Sequence, residues 1–150
     1  MPEEQLLEIQ QSSEKLIRQM RFNLRATATP DEQGVLLKFN GPDVDLLLQR
    51  NAAVLYALEY ILNRMCSRIL GKDRKISADA GDFRALRAEE LQLMAVKASE
   101  KVLTYCRPVD LQPMPAHERR IIHLALQDQP KVRTVSEGSG EERKVIIMPA

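Results

Sequence analysis

A long run of helix-forming residues near the middle of the chain constrains the fold more than any other feature. From about Phe83 to Tyr105 the sequence consists largely of good helix formers, between a strand-like segment that ends at Gly81 and a break at Pro108. At 1.5 Å per residue such a helix is about 35 Å long, comparable with the diameter of a small domain. We therefore predict an α+β protein in which this helix joins two small units.

The segment before the long helix has the pattern of a small unit with one sheet. Apolar side chains recur at helical spacing and then alternate, and the turn sequence "PDEQG" (30–34) separates two alternating runs, as expected for a hairpin. The predicted order is helix, hairpin, two helices and strand, over residues 3–20, 21–41, 43–49, 53–70 and 74–81.

The segment after Pro108 has a different rhythm. "VDLQPM" reads as a short strand that ends at two prolines, and "HERRIIHLALQD" as a helix of about three turns. "KVRTVSEG" and "RKVIIMP" then predict two strands joined by a flexible "SEGSGEE" turn. The predicted divisions are an N-terminal helix, a first domain, a connecting helix and a second domain, over residues 1–20, 21–82, 83–106 and 107–150.

Composition limits the classes of function. The formal net charge is +1 and aromatic residues make up 4% of the chain, with no tryptophan. Neither a protein-wide positive field nor rows of aromatic stacking platforms are available, so any nucleic-acid contact is expected to be local. No signal peptide or membrane span is evident, and we predict a cytoplasmic protein.

Catalytic and metal-site motifs are not found. Cys66 and Cys106 lie 40 positions apart, which fits no zinc spacing, and both are predicted to be free thiols. The two histidines, His117 and His123, have no cysteine near them, and no HExxH, nucleophile or phosphate-loop motif occurs. The sequence thus predicts neither enzymatic activity nor a metal or other cofactor.

Arg119 and His123 are the residues of the "HERRIIHLALQD" helix that most suggest a binding function. They are four positions apart and so share one face of a helix, whereas Arg120 lies about 100° round it. A guanidinium beside an imidazole suits a nucleic-acid phosphate. The alternative is that His123 only hydrogen-bonds a neighbouring carbonyl at the edge of the core, and spacing alone favours this alternative.

A wider motif resembles a known domain. "VDLQPMPAHERRIIHLALQDQPKVRTVSEG", followed by "RKVIIMP", closely resembles the C-terminal domain of the bacterial Jag, or SpoIIIJ-associated, proteins. This R-three-H domain is named for an arginine and a histidine separated by three residues, the spacing of Arg119 and His123. The Glu-Arg-Arg-Ile-Ile-His core, the preceding Pro-Met and the Ser-Glu-Gly turn match in one register.

The region before it is similar to the bacterial-type KH domain that precedes the R-three-H domain in that family. "DVDLLLQRNAAVLYALEYILNRM" matches the helix, loop and long helix of such a domain, and the resemblance covers roughly residues 20–149. Such proteins often carry a further small N-terminal domain upstream. The first residues of this chain are expected to leave no room for it. Where KH domains have Gly-x-x-Gly, which lets the backbone approach phosphates, this chain has Gln49, Arg50, Asn51 and Ala52.

The resemblance implies a non-catalytic protein that binds single-stranded RNA, or DNA, through its second domain. The candidate residues for this contact are Arg119, His123, Arg120, Arg133, Lys131 and Ser136. The degenerate KH loop is expected to make a weakened second contact or to serve as a platform. The alternative is a protein-protein adaptor, because Jag-like proteins are linked with the membrane insertase and with control of cell-wall growth. A homodimer built through the KH-like unit is a further alternative.

Overall fold

The computed structural model describes residues 1–150, which form two compact units, residues 1–84 and 85–150. The first unit contains α1 (Glu3–Gln19), β1 (Arg25–Asp31), β2 (Gly34–Asn40), α2 (Val44–Met65), α3 (Ser67–Leu70) and β3 (Lys75–Ala80). The second contains nearly all of α4 (Phe83–Tyr105), then β4 (Val109–Asp110), α5 (Ala116–Leu126), β5 (Val132–Glu137), a 3₁₀ turn (Gly140–Glu142) and β6 (Lys144–Pro149). The predicted α+β class is confirmed.

The first unit is built on a three-stranded sheet with the order β1-β2-β3. β1 and β2 are antiparallel, whereas β2 and β3 are parallel. Along β2 every second side chain is fully buried, at Val35, Leu37 and Phe39, as expected for a sheet with one covered face. The helices supply the other half of this core, chiefly through Ile9, Ile17, Leu47, Leu55, Leu58 and Leu62.

The predicted hairpin forms, but its turn is shorter than the sequence indicated. β1 begins at Arg25 and continues through Pro30, and Asp31 pairs with Gly34, so that only two residues form the loop. Proline is tolerated there because β1 is an edge strand. At Gly34, with φ of 142°, a Cβ atom would lie 2.5 Å from the Lys75 carbonyl oxygen. Glycine is therefore required where β2 meets β3.

Side chains from the helices close both edges of this sheet. On the β3 edge, Asn63 accepts from the Ile76 amide and donates to the Ile76 carbonyl, both at 2.8 Å, and Glu59 accepts from the Ala78 amide. On the β1 edge, Gln10 accepts from the Ala28 amide at 3.0 Å. These bonds satisfy backbone groups that would otherwise be open to strand addition.

The helix predicted over 53–70 is divided in two. α2 ends at Met65 and the single turn α3 follows Cys66, whose side chain is buried in the first core. Burial, and secondly the charge of Glu8, raise the pKa of the Cys66 thiol, which keeps it protonated. Cys66 and the exposed Cys106 are both free.

The second unit has its own three-stranded antiparallel sheet, with the order β4-β6-β5. α4 is part of its core, since Leu91, Ala95 and Val102 are fully buried there. α5 contributes Ile122 and Leu126, and the central strand β6 contributes Val145 and Ile147. None of the helices combines the length and the apolar composition that a membrane-spanning segment needs. No group of three or more His, Cys, Asp or Glu side chains could hold a metal ion.

Candidate nucleic-acid interface

α5 begins directly after Pro115, one residue before the predicted "HERRIIHLALQD" helix. Pro115 is extended, and its carbonyl accepts hydrogen bonds from the amides of Glu118 and Arg119 at 3.1 and 3.0 Å. Burial of Ile122 and Leu126 fixes which face of the helix turns to the core. Arg119 and His123, four residues apart, consequently lie together at the half-buried edge of that face.

His123 is held between two hydroxyl groups of β5. Its Nδ1 lies 2.6 Å from Thr134 Oγ1, and its Nε2 lies 2.9 Å from Ser136 Oγ. Thr134 and Ser136 are two positions apart on a strand and so project from the same face of it, toward α5. Both ring nitrogens therefore have hydrogen-bond partners inside the unit. The sequence alone suggested only one such bond, at the edge of the core.

The His123 ring is neutral at neutral pH. Burial, and secondly the positive charge of Arg119, lower the pKa of His123 below its ordinary value. In a neutral imidazole one nitrogen donates and the other accepts, so one of the two hydroxyls donates to the ring and the other accepts from it.

Because the pKa of His123 is lower in the folded than in the unfolded chain, acid is expected to destabilise the protein. The unfolded chain takes up a proton near pH 6.5 whereas the folded chain resists it, so the stabilisation is complete above that pH and is lost as the pH falls toward the folded value. Urea unfolding between about pH 7.5 and 5.5 measures this. The His123→Gln variant should lose this contribution, and an unchanged pH dependence in that variant would contradict the assignment.

Arg119 is anchored by a backbone group rather than by a carboxylate. Its Nε donates to the Met114 carbonyl at 3.1 Å, and its side chain is half-buried. The bond orients the guanidinium plane while Nη1 and Nη2 can still donate to another acceptor. An arginine held in this way loses less conformational entropy when it binds an anion.

A buried ion pair fixes α5 against α4. Glu118 is 4% exposed, and its two carboxylate oxygens accept from Nε and Nη2 of Arg87 at 3.1 and 3.2 Å. Arg87 also contacts the exposed Glu90. The hydrogen bond to Glu118 is the largest of the effects that raise the pKa of Arg87, so the arginine remains charged. Since Glu118 immediately precedes Arg119, the pair also fixes the position of the Arg119 backbone.

The structure brings together only some of the residues predicted from the sequence. Arg119, His123 and Ser136 lie on neighbouring faces of α5 and β5. Arg133 is exposed and alternates with Thr134, so it projects from the opposite face of β5. Arg120 is exposed on α5, and Lys131 is exposed just before β5, where its carbonyl accepts from the Ala150 amide. Nucleic-acid contact by all six residues remains a prediction.

The loop at residues 49–52, which the sequence predicts to be a degenerate KH loop, interrupts α2. Arg50, Asn51 and Ala52 have φ of 53°, 57° and 61°, three consecutive residues in the left-handed region that glycine adopts most easily. Ala52 is fully buried, whereas Gln49, Arg50 and Asn51 are exposed. The loop thus has a glycine-favouring conformation without glycines, and its contact with RNA remains a prediction.

Three groups that make hydrogen bonds in this region were not identified from the sequence: the Thr134 hydroxyl, the Met114 carbonyl and the Arg87 guanidinium. Thr134 could have been found, because it alternates with Ser136 on a predicted strand. The Met114 carbonyl and Arg87 could not, because a backbone anchor leaves no compositional signal and Arg87 lies 31 residues from Glu118.

Known proteins are similar to this chain in the region that contains α5 and β5. Residues 89–149 match the R-three-H domain family. An RNA-binding protein KhpB of Bacillus subtilis (strain 168) is 31% identical over 123 residues, which cover 81% of this chain and 59% of that protein. The RNA-binding protein KhpB of Clostridium symbiosum is 34% identical over 119 residues, with 79% and 53% covered. Residues 89–149 thus match an R-three-H domain, and over about four-fifths of its length the chain is similar to KhpB proteins, which are Jag-family proteins. The resemblance of its second domain to Jag proteins is thereby confirmed.

The chain spans just over half the length of these two relatives, 59% and 53%. A KhpB protein of Streptococcus pneumoniae (serotype 2, strain D39) is 25% identical over 128 residues, which cover 39% of that protein. The R-three-H match begins inside α4, in agreement with the burial of α4 side chains in the second core.

Proposed function

We propose that this chain is a non-catalytic protein of the Jag type that binds single-stranded RNA through the α5 and β5 face of its R-three-H domain. The observation that carries the proposal is the ordered polar surface formed by Arg119, His123, Thr134 and Ser136. Each of these four side chains has a hydrogen-bond partner within the unit, so little ordering is required on binding. The name of its KhpB relatives, RNA-binding protein, favours RNA over DNA.

A binding function agrees with the chemistry of the surface. The neutral His123 has both nitrogens engaged, and none of the hydrogen bonds at this surface joins it to a carboxylate. A histidine in that state is poorly suited to act as a general base. We further propose a cytoplasmic location, where RNA is available, and a weak second contact or a platform role for the KH-like unit.

The proposal is tested by titrating labelled single-stranded RNA and DNA of matched sequence with the full chain. We expect RNA to bind more tightly than DNA. If two or three phosphates are contacted, affinity should fall about sevenfold to twentyfold between about 50 and 200 mM salt. If neither nucleic acid binds even at the lower salt concentration, the proposal is wrong.

One observation favours a protein partner as a second candidate. Leu86, Leu93, Val96 and Leu103 of α4 are 63%, 54%, 45% and 42% exposed, and they lie within an arc of about 100° that turns away from the core. The exposed Glu89 and Glu100 lie within the same arc, so the face combines apolar and acidic side chains. Together with the exposed Leu124 of α5, it suits the adaptor function. The insertase, the cell-wall machinery and a second copy of the chain remain proposed partners from the family resemblance.

The two candidates differ in their response to salt and to substitution. RNA binding should weaken with salt and depend on Arg119, whereas association through apolar side chains should be nearly insensitive to both. Replacing Leu93 with lysine should abolish the second association and leave RNA binding intact.

A further inference from the structure

We infer that Ser136 donates the hydrogen bond to an RNA phosphate oxygen, and that His123 and Thr134 position its hydroxyl without touching the RNA. The inference rests on the RNA-binding function proposed above and identifies which atoms carry it. Thr134 thereby becomes a positioning residue.

The first step concerns the number of hydrogen bonds that the His123 ring can make. Each nitrogen of an imidazole makes one hydrogen bond in the ring plane. Nδ1 is engaged by Thr134 Oγ1 at 2.6 Å and Nε2 by Ser136 Oγ at 2.9 Å. The ring therefore has no N–H left for a phosphate unless it breaks a bond with β5. A direct contact would leave a half-buried hydroxyl without its partner, which costs binding energy.

The second step concerns the hydroxyl groups, which have capacity to spare. A serine hydroxyl donates one hydrogen bond and accepts two. When the Thr134 hydroxyl donates to Nδ1, Nε2–H donates to Ser136 Oγ, and the Ser136 hydrogen is free to point at an anion. In the opposite arrangement Ser136 uses its hydrogen on Nε2 and presents only lone pairs, which repel a phosphate. Anion binding thus selects the ring with its proton on Nε2.

The third step concerns the surroundings of Ser136. It lies at the end of β5, beside an exposed turn that Arg143 closes by donating from Nη1 to the Gly138 carbonyl at 2.7 Å. Arg119 supplies a positive charge near enough to His123 to lower its pKa. The acidic neighbour Glu137 alternates with Ser136 and so projects from the opposite face of the strand. Ser136 is consequently partly exposed, and its partner His123 has the cationic Arg119 near it.

The chain allows closely matched variants. Ser136→Ala removes only the proposed donor, and Thr134→Val removes only the hydroxyl that engages Nδ1. His123→Gln retains a donor where Nε2 lies, and His123→Asn retains one where Nδ1 lies. Binding of a mixed-sequence single-stranded oligoribonucleotide to each variant is measured at low salt. The amide ¹H–¹⁵N spectrum of each variant shows whether it is folded.

We expect Ser136→Ala to weaken binding about 10- to 100-fold, the range for a hydrogen bond to a charged group. Thr134→Val should weaken it by a smaller factor, about three- to tenfold, and Thr134→Ser should restore it. The double variant Ser136→Ala/His123→Gln should bind no worse than Ser136→Ala alone, because both residues act through one hydroxyl.

The proton position on His123 gives a readout that a merely structural contribution would not change. Long-range ¹H–¹⁵N spectra distinguish a protonated from an unprotonated ring nitrogen, and His117→Gln assigns the only other histidine. With the oligoribonucleotide bound, we expect the proton on Nε2 and a bare Nδ1. The opposite tautomer in the complex would overturn the inference.

The outcomes separate this inference from the proposed function. If His123→Asn loses binding while Ser136→Ala retains it, His123 contacts RNA directly; the inference is then wrong and the function stands. If the unmodified chain does not bind RNA at low salt, both are wrong.

Discussion

Replacing Glu118 with alanine is expected to lower the free energy of unfolding by about 3 kcal/mol, the cost of breaking a buried ion pair from one side. Arg87 would remain 21% exposed and charged, with only the exposed Glu90 as partner. The second unit has only 66 residues, 85–150, and a domain of that size has little stability in reserve. Urea unfolding followed through the amide signals of α5 measures the loss.

The same arginine provides the control. Glu90 is 61% exposed, so Glu90→Ala should cost less than about 1 kcal/mol although it removes the same charge. The double variant Glu118→Leu/Arg87→Met should recover much of the loss, because two apolar side chains need no partner in the interior. A cost below about 1 kcal/mol for Glu118→Ala would show that the ion pair does not hold α5 in place.

Replacing Arg119 with alanine is expected to weaken RNA binding about 30-fold, equivalent to about 2 kcal/mol for a charge-assisted hydrogen bond to phosphate. The dependence of log affinity on log salt should also fall by about 0.7, because one phosphate contact is lost. Arg119→Lys separates charge from geometry. Lysine retains the charge and should leave the salt dependence unchanged. It lacks Nε, and without the Met114 anchor the affinity should fall about fivefold to tenfold.

Arg107→Ala is the matched control for this series. Arg107 is an exposed arginine of the same unit that makes no ion pair, and its loss changes the net charge equally. We expect the RNA affinity of Arg107→Ala to stay within about twofold of that of the unmodified chain. Equal losses in Arg107→Ala and Arg119→Ala would mean that binding depends on overall charge and not on the α5 face.

Local patterns were sufficient to predict most of the secondary structure. Helical spacing located α4 and α5, alternation located β2 and β3, and Gly71 marked the end of the central helical region, because each depends on residues close in sequence. The start of β1 was predicted too early. Residues 21–24 alternate like a strand, but β2 pairs only from Arg25 onward.

The candidate site was predicted less completely. The Arg119 and His123 spacing indicates a shared helix face, and the order of residues places Ser136 on the next strand. Whether His123 bonds a core carbonyl or a ligand could not be decided from spacing, since both uses need a half-buried ring. The structure shows a different arrangement, in which two β5 hydroxyls engage both nitrogens.

The sequence by itself determined the class of fold, the order of the elements and the R-three-H motif, because periodicity and motif spacing are local properties. Only the tertiary structure decided which side chains meet. The Arg87–Glu118 pair joins residues 31 positions apart, and the Thr134–His123–Ser136 contacts require α5 to pack against β5 in one register. Such contacts depend on how helices and strands pack, and that packing is determined by the whole core rather than by any short segment.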